Sequence, residues 1–313
     1  MIRIFKTEDG VMHEKSDMQP GCWIALTNPT ASEVMDVADA CQIDPDHIKA
    51  PLDEEERSRI EVEDNYTLVL VDIPSIEERN GKDWFVTIPM GIITTNDVLI
   101  TVCLEDTPVL SSFMDGRVRD FHTFMKTRFI LQILYRNATQ YLQYLRIIDK
   151  KSEVVERKLQ KKKKNEELIE LLELEKSLVY FTTSLKSNEV VLEKLLRTER
   201  VKKYPEDTDL LEDVIIENKQ AIEMANIYSG ILSGTMDAFA SIISNNVNAV
   251  MKFLATVTIV MSIPTMVASF YGMNVNTRGM PFADSPFGFL IVLGLAILLS
   301  LVVAYIFNKK DLF

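Results

Sequence analysis

Apolar residues are spread unevenly along the chain. From Phe253 to Tyr271 no side chain is charged, and the same holds from Pro286 to Phe307. Each run approaches the roughly 20 residues, at about 1.5 Å per residue, that a helix needs to cross a hydrocarbon core of about 30 Å. The pattern predicts two membrane spans, at about 250–271 and 286–307. A buried hairpin of a soluble protein is the competing reading, and two adjacent runs of this length disfavour it. Lys252 precedes the first span, Lys309 and Lys310 follow the second, and the connecting loop 272–285 has Arg278 as its one basic residue. Basic flanks stay inside, so both termini are expected on the cytoplasmic side of a cell (inner or plasma) membrane.

Upstream the periodicity changes. Within residues 1–115, apolar and alternating stretches at Tyr66–Asp72, Phe85–Thr94 and Val98–Cys103 predict strands, punctuated by the turn signals Asn80-Gly81 and Thr95-Asn96-Asp97. Helical patches at 31–41 and 47–56 flank them, which predicts an α+β cytoplasmic domain. From about Phe121 the chain reads as helix, and 116–204 is taken as a cytoplasmic helical region. Tyr204-Pro205-Glu206-Asp207 is a helix-start signature, and the next proline is Pro264. A stalk helix over 205–271 would run about 65 residues and nearly 100 Å, continuing into the first span. Residues 308–313 form a basic tail.

Composition narrows the function. The 313 residues carry 46 acidic against 34 basic side chains, a net charge of −12, and are 47% hydrophobic. That balance disfavours nucleic acid, which needs a basic face. Cys22, Cys41 and Cys103 are three and widely spaced, and the first residues lack the apolar run of a signal peptide. His13, His47 and His122 are scattered without a metal-binding spacing, and no phosphate loop occurs, so an enzyme is not expected. The histidines read as surface or packed residues, and Lys161–Lys164 as a solvated helical run rather than a lipid contact.

Steps of four and three along the last helix pick out Gly230, Gly234, Asp237, Ser241, Ser244, Asn248, Met251, Ala255, Thr258, Ser262, Thr265, Ser269 and Gly272. This is a period of 3.5, and nearly every member is small or polar. The adjacent stripes, such as Phe253-Thr256-Val260-Ile263-Val267-Phe270, are almost wholly apolar. Two readings fit the spacing. Small residues and hydroxyls permit close helix packing in membranes, and a continuous polar face without charge is what a cation path needs. The second reading requires several copies, because two helices cannot surround a pore. Met251 with Leu254 would then form an apolar constriction, and Thr265 and Ser269 would face a hydrated ion.

Gly272-Met273-Asn274 directly after the first of two C-terminal spans, with a long preceding helix, an acidic α+β domain and Lys309-Lys310 at the end, resembles the CorA family of magnesium transport proteins. The resemblance implies a channel-like homopentamer with a funnel-shaped cytoplasmic domain, transporting Mg2+ and gated by it. It implies that Asn274 forms a ring of amide oxygens at the mouth, that Thr265 and Ser269 are polar pore positions, that Met251 and Leu254 form the lower constriction, and that Asn248 and Asp237 lie beneath. Mg2+ holds its waters tightly, so neutral oxygens can bind the hydrated ion through its shell.

Three departures from the family stand out. The acidic outer-loop stretch is replaced by Gly279-Met280-Pro281-Phe282-Ala283-Asp284, leaving Asp284 opposed by Arg278. A regulatory inter-protomer carboxylate matches Asp213, but its partner position reads Ile48-Lys49-Ala50, with Asp53 as the substitute about one turn on. A pore position that is often methionine is Ser262. Co2+, Ni2+ and, in a related branch, Zn2+ remain alternative substrates, and a membrane-anchored scaffold is the alternative from another class.

Overall fold

The computed structural model describes residues 1–79, 81–162, 165–197, 205–274, 279–282 and 285–309. Asn80, Lys163, Lys164, Arg278, Asp284 and Lys310, each invoked above, lie outside them. Seven strands form one sheet: β1 (Ile2–Glu8), β2 (Val11–Lys15), β3 (Trp23–Thr27), β4 (Arg59–Val62), β5 (Tyr66–Arg79), β6 (Lys82–Thr95) and β7 (Leu99–Cys103). Their order is β2-β1-β3-β7-β6-β5-β4, antiparallel throughout except for the central pair β3–β7, where Trp23 is opposite Leu99. The 14-residue strands β5 and β6 form a hairpin whose register runs from Tyr66↔Thr95 to Arg79↔Lys82. That last pairing leaves a two-residue connection, the length for which Asn-Gly is suited.

Both faces of the sheet are covered. On one face Ile24, Leu26, Leu68, Leu70, Ile93 and Ile100 meet Val34, Val37 and Ala38 of α1 (Ala31–Cys41) and Ile48 of α2 (Pro45–Lys49). Thr30 caps α1 by accepting from the Glu33 N–H, while the Glu33 side chain accepts from the Thr30 N–H. Such a reciprocal cap satisfies two donors that a helix start leaves open. On the opposite face Trp23, Val69, Val71 and Met90 pack with α3 (Pro108–Met114), α4 (Lys126–Lys162), α5 (Asn165–Arg197) and the first turns of α6 (Pro205–Tyr271). The remaining helix is α7 (Gly288–Lys309).

The helical patch expected over 47–56 is shorter. Asp44 caps α2 through the Asp46 N–H, Pro45 opens it, and a single 3-10 turn at Ala50–Leu52 closes it. Pro51 cannot continue an α-helical ladder, so Asp53–Glu56 falls in the connection to β4. The turn seats on the sheet at Gly91, where a Cβ would collide with Pro51 Cγ. Any side chain at that point would push the turn off the strand.

A polar seam ties the helices to β5. Pro89, the register partner of Asp72, has no N–H to give to the ladder. The Asp72 carbonyl instead accepts from Asn188 Nδ2 at 2.7 Å, Asn137 Nδ2 at 2.9 Å and Tyr141 Oη at 3.2 Å. The Asp72 N–H donates to Asn188 Oδ1 at 2.9 Å. Burial pushes the Asp72 carboxyl upward, against the pull of the Ser184 and Ser58 hydroxyls.

The chain divides into two compact units: Met1–Gly234, which holds the sheet and its helices, and Thr235–Phe313, which holds the rest of α6 and α7. The division falls inside α6.

Candidate functional site

Helix α6 is continuous from Pro205 to Tyr271, with Glu206 and Asp207 in its first turn and Pro264 inside it. Acids at the start suit the positive end of the helix dipole. In the second unit of the chain, the stripe of period 3.5 is turned outward. Asp237, Asn248, Met251, Leu254, Thr258, Thr265 and Ser269 are exposed, and Ser262 is half-buried. Thr256 is buried and Val257, Val260, Ile263 and Val267 are half-buried, so the chain's own cover falls on a different side of the helix. Packing within one chain therefore does not explain the polar stripe.

Three of its hydroxyls have a fixed polarity. Thr258 Oγ1 donates to the Leu254 carbonyl at 2.8 Å, Ser262 Oγ to Ile259 at 2.8 Å and Thr265 Oγ1 to Met261 at 3.3 Å. Back-bonding of this kind uses the hydroxyl proton on the helix itself. What remains on each oxygen is lone-pair density, the group a cation or its water shell accepts.

The turn after the helix is organised by the chain. The Gly272 N–H still bonds the Ala268 carbonyl at 2.9 Å, and the Met273 N–H reaches Phe270 at 3.4 Å. Met273 and Asn274 are exposed. Tyr271 Oη donates to the Pro281 carbonyl at 2.9 Å, tethering the end of α6 to the loop beyond. The sequence places this tyrosine directly before Gly272-Met273-Asn274 without giving it a role, and an aromatic residue at the end of a span is a signal of an interfacial anchor. Ser285 Oγ accepts from the Phe287 N–H at 3.3 Å ahead of α7, and at Gly288 a Cβ would collide with the Phe282 carbonyl oxygen. The last carbonyls of α6 leave the negative end of its dipole beside Gly272-Met273-Asn274, which favours a cation there without any acidic side chain.

The two carboxylates expected at a regulatory site are not joined within the chain. Asp53 ends the 3-10 turn, and its Oδ1 accepts from the Glu55 N–H at 3.0 Å. Asp213 is exposed on α6, and among the described residues no hydrogen bond or ion pair links it to Asp53.

The family model of CorA-like Mg2+ transporter proteins matches residues 19–310. The chain belongs to this family. This CorA-family chain is 27% identical over 297 residues to the cobalt/magnesium transport protein CorA of Methanocaldococcus jannaschii, covering 92% of this chain and 90% of the relative. The complete structure of the CorA magnesium transporter from that organism matches with a TM-score of 0.87 at 25% identity, over 99% of this chain and 98% of the other. The ZntB cytoplasmic domain from Vibrio parahaemolyticus matches with a TM-score of 0.62 at 10% identity, over 78% of this chain and 98% of that one, a likeness of fold alone. CorA membership makes the protein a divalent-cation transporter rather than an enzyme. It also agrees with α6 and α7 being long and apolar enough to cross a membrane.

Proposed function

We propose that the chain assembles as a homopentamer in the cell membrane, both termini cytoplasmic, and conducts Mg2+ inward along the polar stripe of α6. The observation that carries this reading is the exposed line of hydroxyl oxygens whose protons are bonded back to their own helix. Copies of that face around an axis make a lining in which these three oxygens offer only lone pairs. Mg2+ exchanges its waters reluctantly, and such a lining holds the hydrated ion loosely enough for it to move on. Asn274 supplies the first ring, at the negative ends of the α6 dipoles. Thr265 and Ser269 follow, Ser262 widens the middle relative to a methionine, and Met251 with Leu254 closes the lower end by excluding water. Asn248 and Asp237 receive the ion beneath. Lys252 and Lys309 at the inner ends of the spans support the orientation.

Flux into proteoliposomes holding a Mg2+-sensitive dye tests the reading. Mg2+ enters in the absence of a proton gradient. If Zn2+ enters with protons while Mg2+ stays outside, the Mg2+ assignment fails and the protein belongs with zinc carriers. A detergent-solubilised complex with a mass of two or four chains overturns the pentamer.

Internal Mg2+ is the closing ligand in this reading, bridging neighbouring copies through Asp213 and Asp53. Asp213→Ala is expected to raise the internal Mg2+ needed for half-inhibition of flux by roughly tenfold or more, the scale on which ligand-shell changes weaken metal sites. Unchanged inhibition in that variant would show that the site lies elsewhere.

A further inference from the structure

Apart from the ion path, the sheet unit brings together a second set of metal-ligating side chains. His47 stands on α2, and its ring is held from both sides. Nδ1 lies 2.8 Å from Tyr66 Oη, which also accepts from the Asp44 N–H at 3.3 Å. Nε2 lies 3.1 Å from Glu61 Oε2 on β4. Glu63 follows two residues later, on the same side of the extended chain, where its N–H bonds the Tyr66 carbonyl at 2.9 Å and closes the β4–β5 turn. The ligand atoms of His47, Glu61 and Glu63 all lie within 4.8 Å of one another.

The separations decide what this cluster can hold. Two ligands about 2.0–2.2 Å from one ion, at tetrahedral or octahedral angles, stand about 3.0–3.5 Å apart. Nε2 and Glu61 Oε2 are already at that spacing. Glu63 is exposed, and rotation of its side chain closes the third edge. We infer that His47, Glu61 and Glu63 form a divalent-metal site within one chain, for an imidazole-accepting ion of the zinc, cobalt or nickel type.

The donor set separates these ions from Mg2+. Imidazole suits zinc, cobalt and nickel, whereas Mg2+ takes oxygen ligands and keeps most of its water. A ligating Nε2 must be free of its proton, so Nδ1 carries the proton and donates to Tyr66 Oη, the outer-shell arrangement usual for metal-bound histidine. Without metal the opposite tautomer satisfies the same atoms, with Nε2–H donating to Glu61. Binding therefore needs a tautomer change and rotation of the exposed Glu63 side chain. Arg59 bonds the other oxygen of Glu61 and also Glu56, which orients the carboxylate from behind. That contact holds the Glu61 carboxyl below the usual carboxylate range, against the upward push of burial.

The test is equilibrium dialysis of the full-length detergent-solubilised protein against Zn2+ and, separately, Co2+, in the presence of millimolar Mg2+. An Asn274→Ala, Asp213→Ala background removes the proposed pore-mouth and stalk ligands, so the result does not depend on the transport reading. One Mg2+-resistant ion per chain is expected, and His47→Gln or Glu63→Gln weakens it about ten- to hundred-fold. Glu63 is exposed, so its variant keeps the fold even if the His47 variant does not. Wild-type affinity and stoichiometry in Glu63→Gln, or complete displacement by Mg2+, overturns the site.

Discussion

Asn274→Ala abolishes Mg2+ entry in the proposed pentamer, with flux falling at least a hundredfold while the complex keeps its mass and melting temperature. The asparagine lies just past the end of α6, exposed, and its amide is not needed to finish the helix, whose last turn is closed by Gly272 and Met273 backbone bonds. Removing it leaves the fold intact and deletes one acceptor per copy. A single hydrogen bond contributes roughly 0.5–1.5 kcal/mol net, and five lost together amount to about 5 kcal/mol, more than three decades in occupancy of the mouth. Dye-loaded proteoliposomes measure the loss directly. Wild-type flux through Asn274→Ala would sink the ring and leave the α6 dipole ends as the entry site.

Trp23→Ala costs about 3–5 kcal/mol of stability, as large aromatic truncations in cores do. Trp23 is fully buried on β3, its ring centroid 5.0 Å from both Phe5 and Phe129, with Phe121 at 6.2 Å and Phe113 at 6.4 Å. It thereby joins the sheet to α3, to α4 and to the segment between them. Its Nε1 donates to Thr101 Oγ1 at 2.9 Å, so truncation also leaves a buried hydroxyl short of a partner. Whole-domain stabilities are about 5–15 kcal/mol, which brings the variant close to unfolding at physiological temperature. Urea denaturation read by circular dichroism is the measurement. A loss below about 1 kcal/mol would mean that the cluster repacks around the gap.

The parts of this fold that can be read from sequence are those with a long period. The stretch from Pro205 to Tyr271 announces itself by its acidic start, the absence of proline before Pro264 and the uncharged run at its end. Strands β5, β6 and β7 are legible from alternation and apolar runs. Strands β1 to β4 are not, for different reasons. β2 reads Val-Met-His-Glu-Lys and β4 Arg-Ile-Glu-Val, short edge strands in which charge masks the period, and β3 is a five-residue run buried on both faces. The expected helix over 47–56 overruns because the acids at 53–56 score as helix formers, while Pro51 ends the ladder before them.

The stripe on α6 is visible as a period, but its outward direction is not, since spacing cannot say which face a chain covers. His47 and Glu61 are 14 residues apart and share no spacing motif. Only the turn of α2 against β4 brings the imidazole to the carboxylate.

The inward-bonded hydroxyls of Thr258, Ser262 and Thr265 bear on how ions of opposite sign are sorted. A ring of ionised carboxylates selects by a potential that dissolved salt weakens, on a Debye length of about 8 Å at physiological ionic strength. Lone pairs fixed by covalent geometry and a helical bond have no ionic atmosphere to lose. At these three levels of the proposed path, rejection of chloride is thus a property of dipole direction, and it persists in brine.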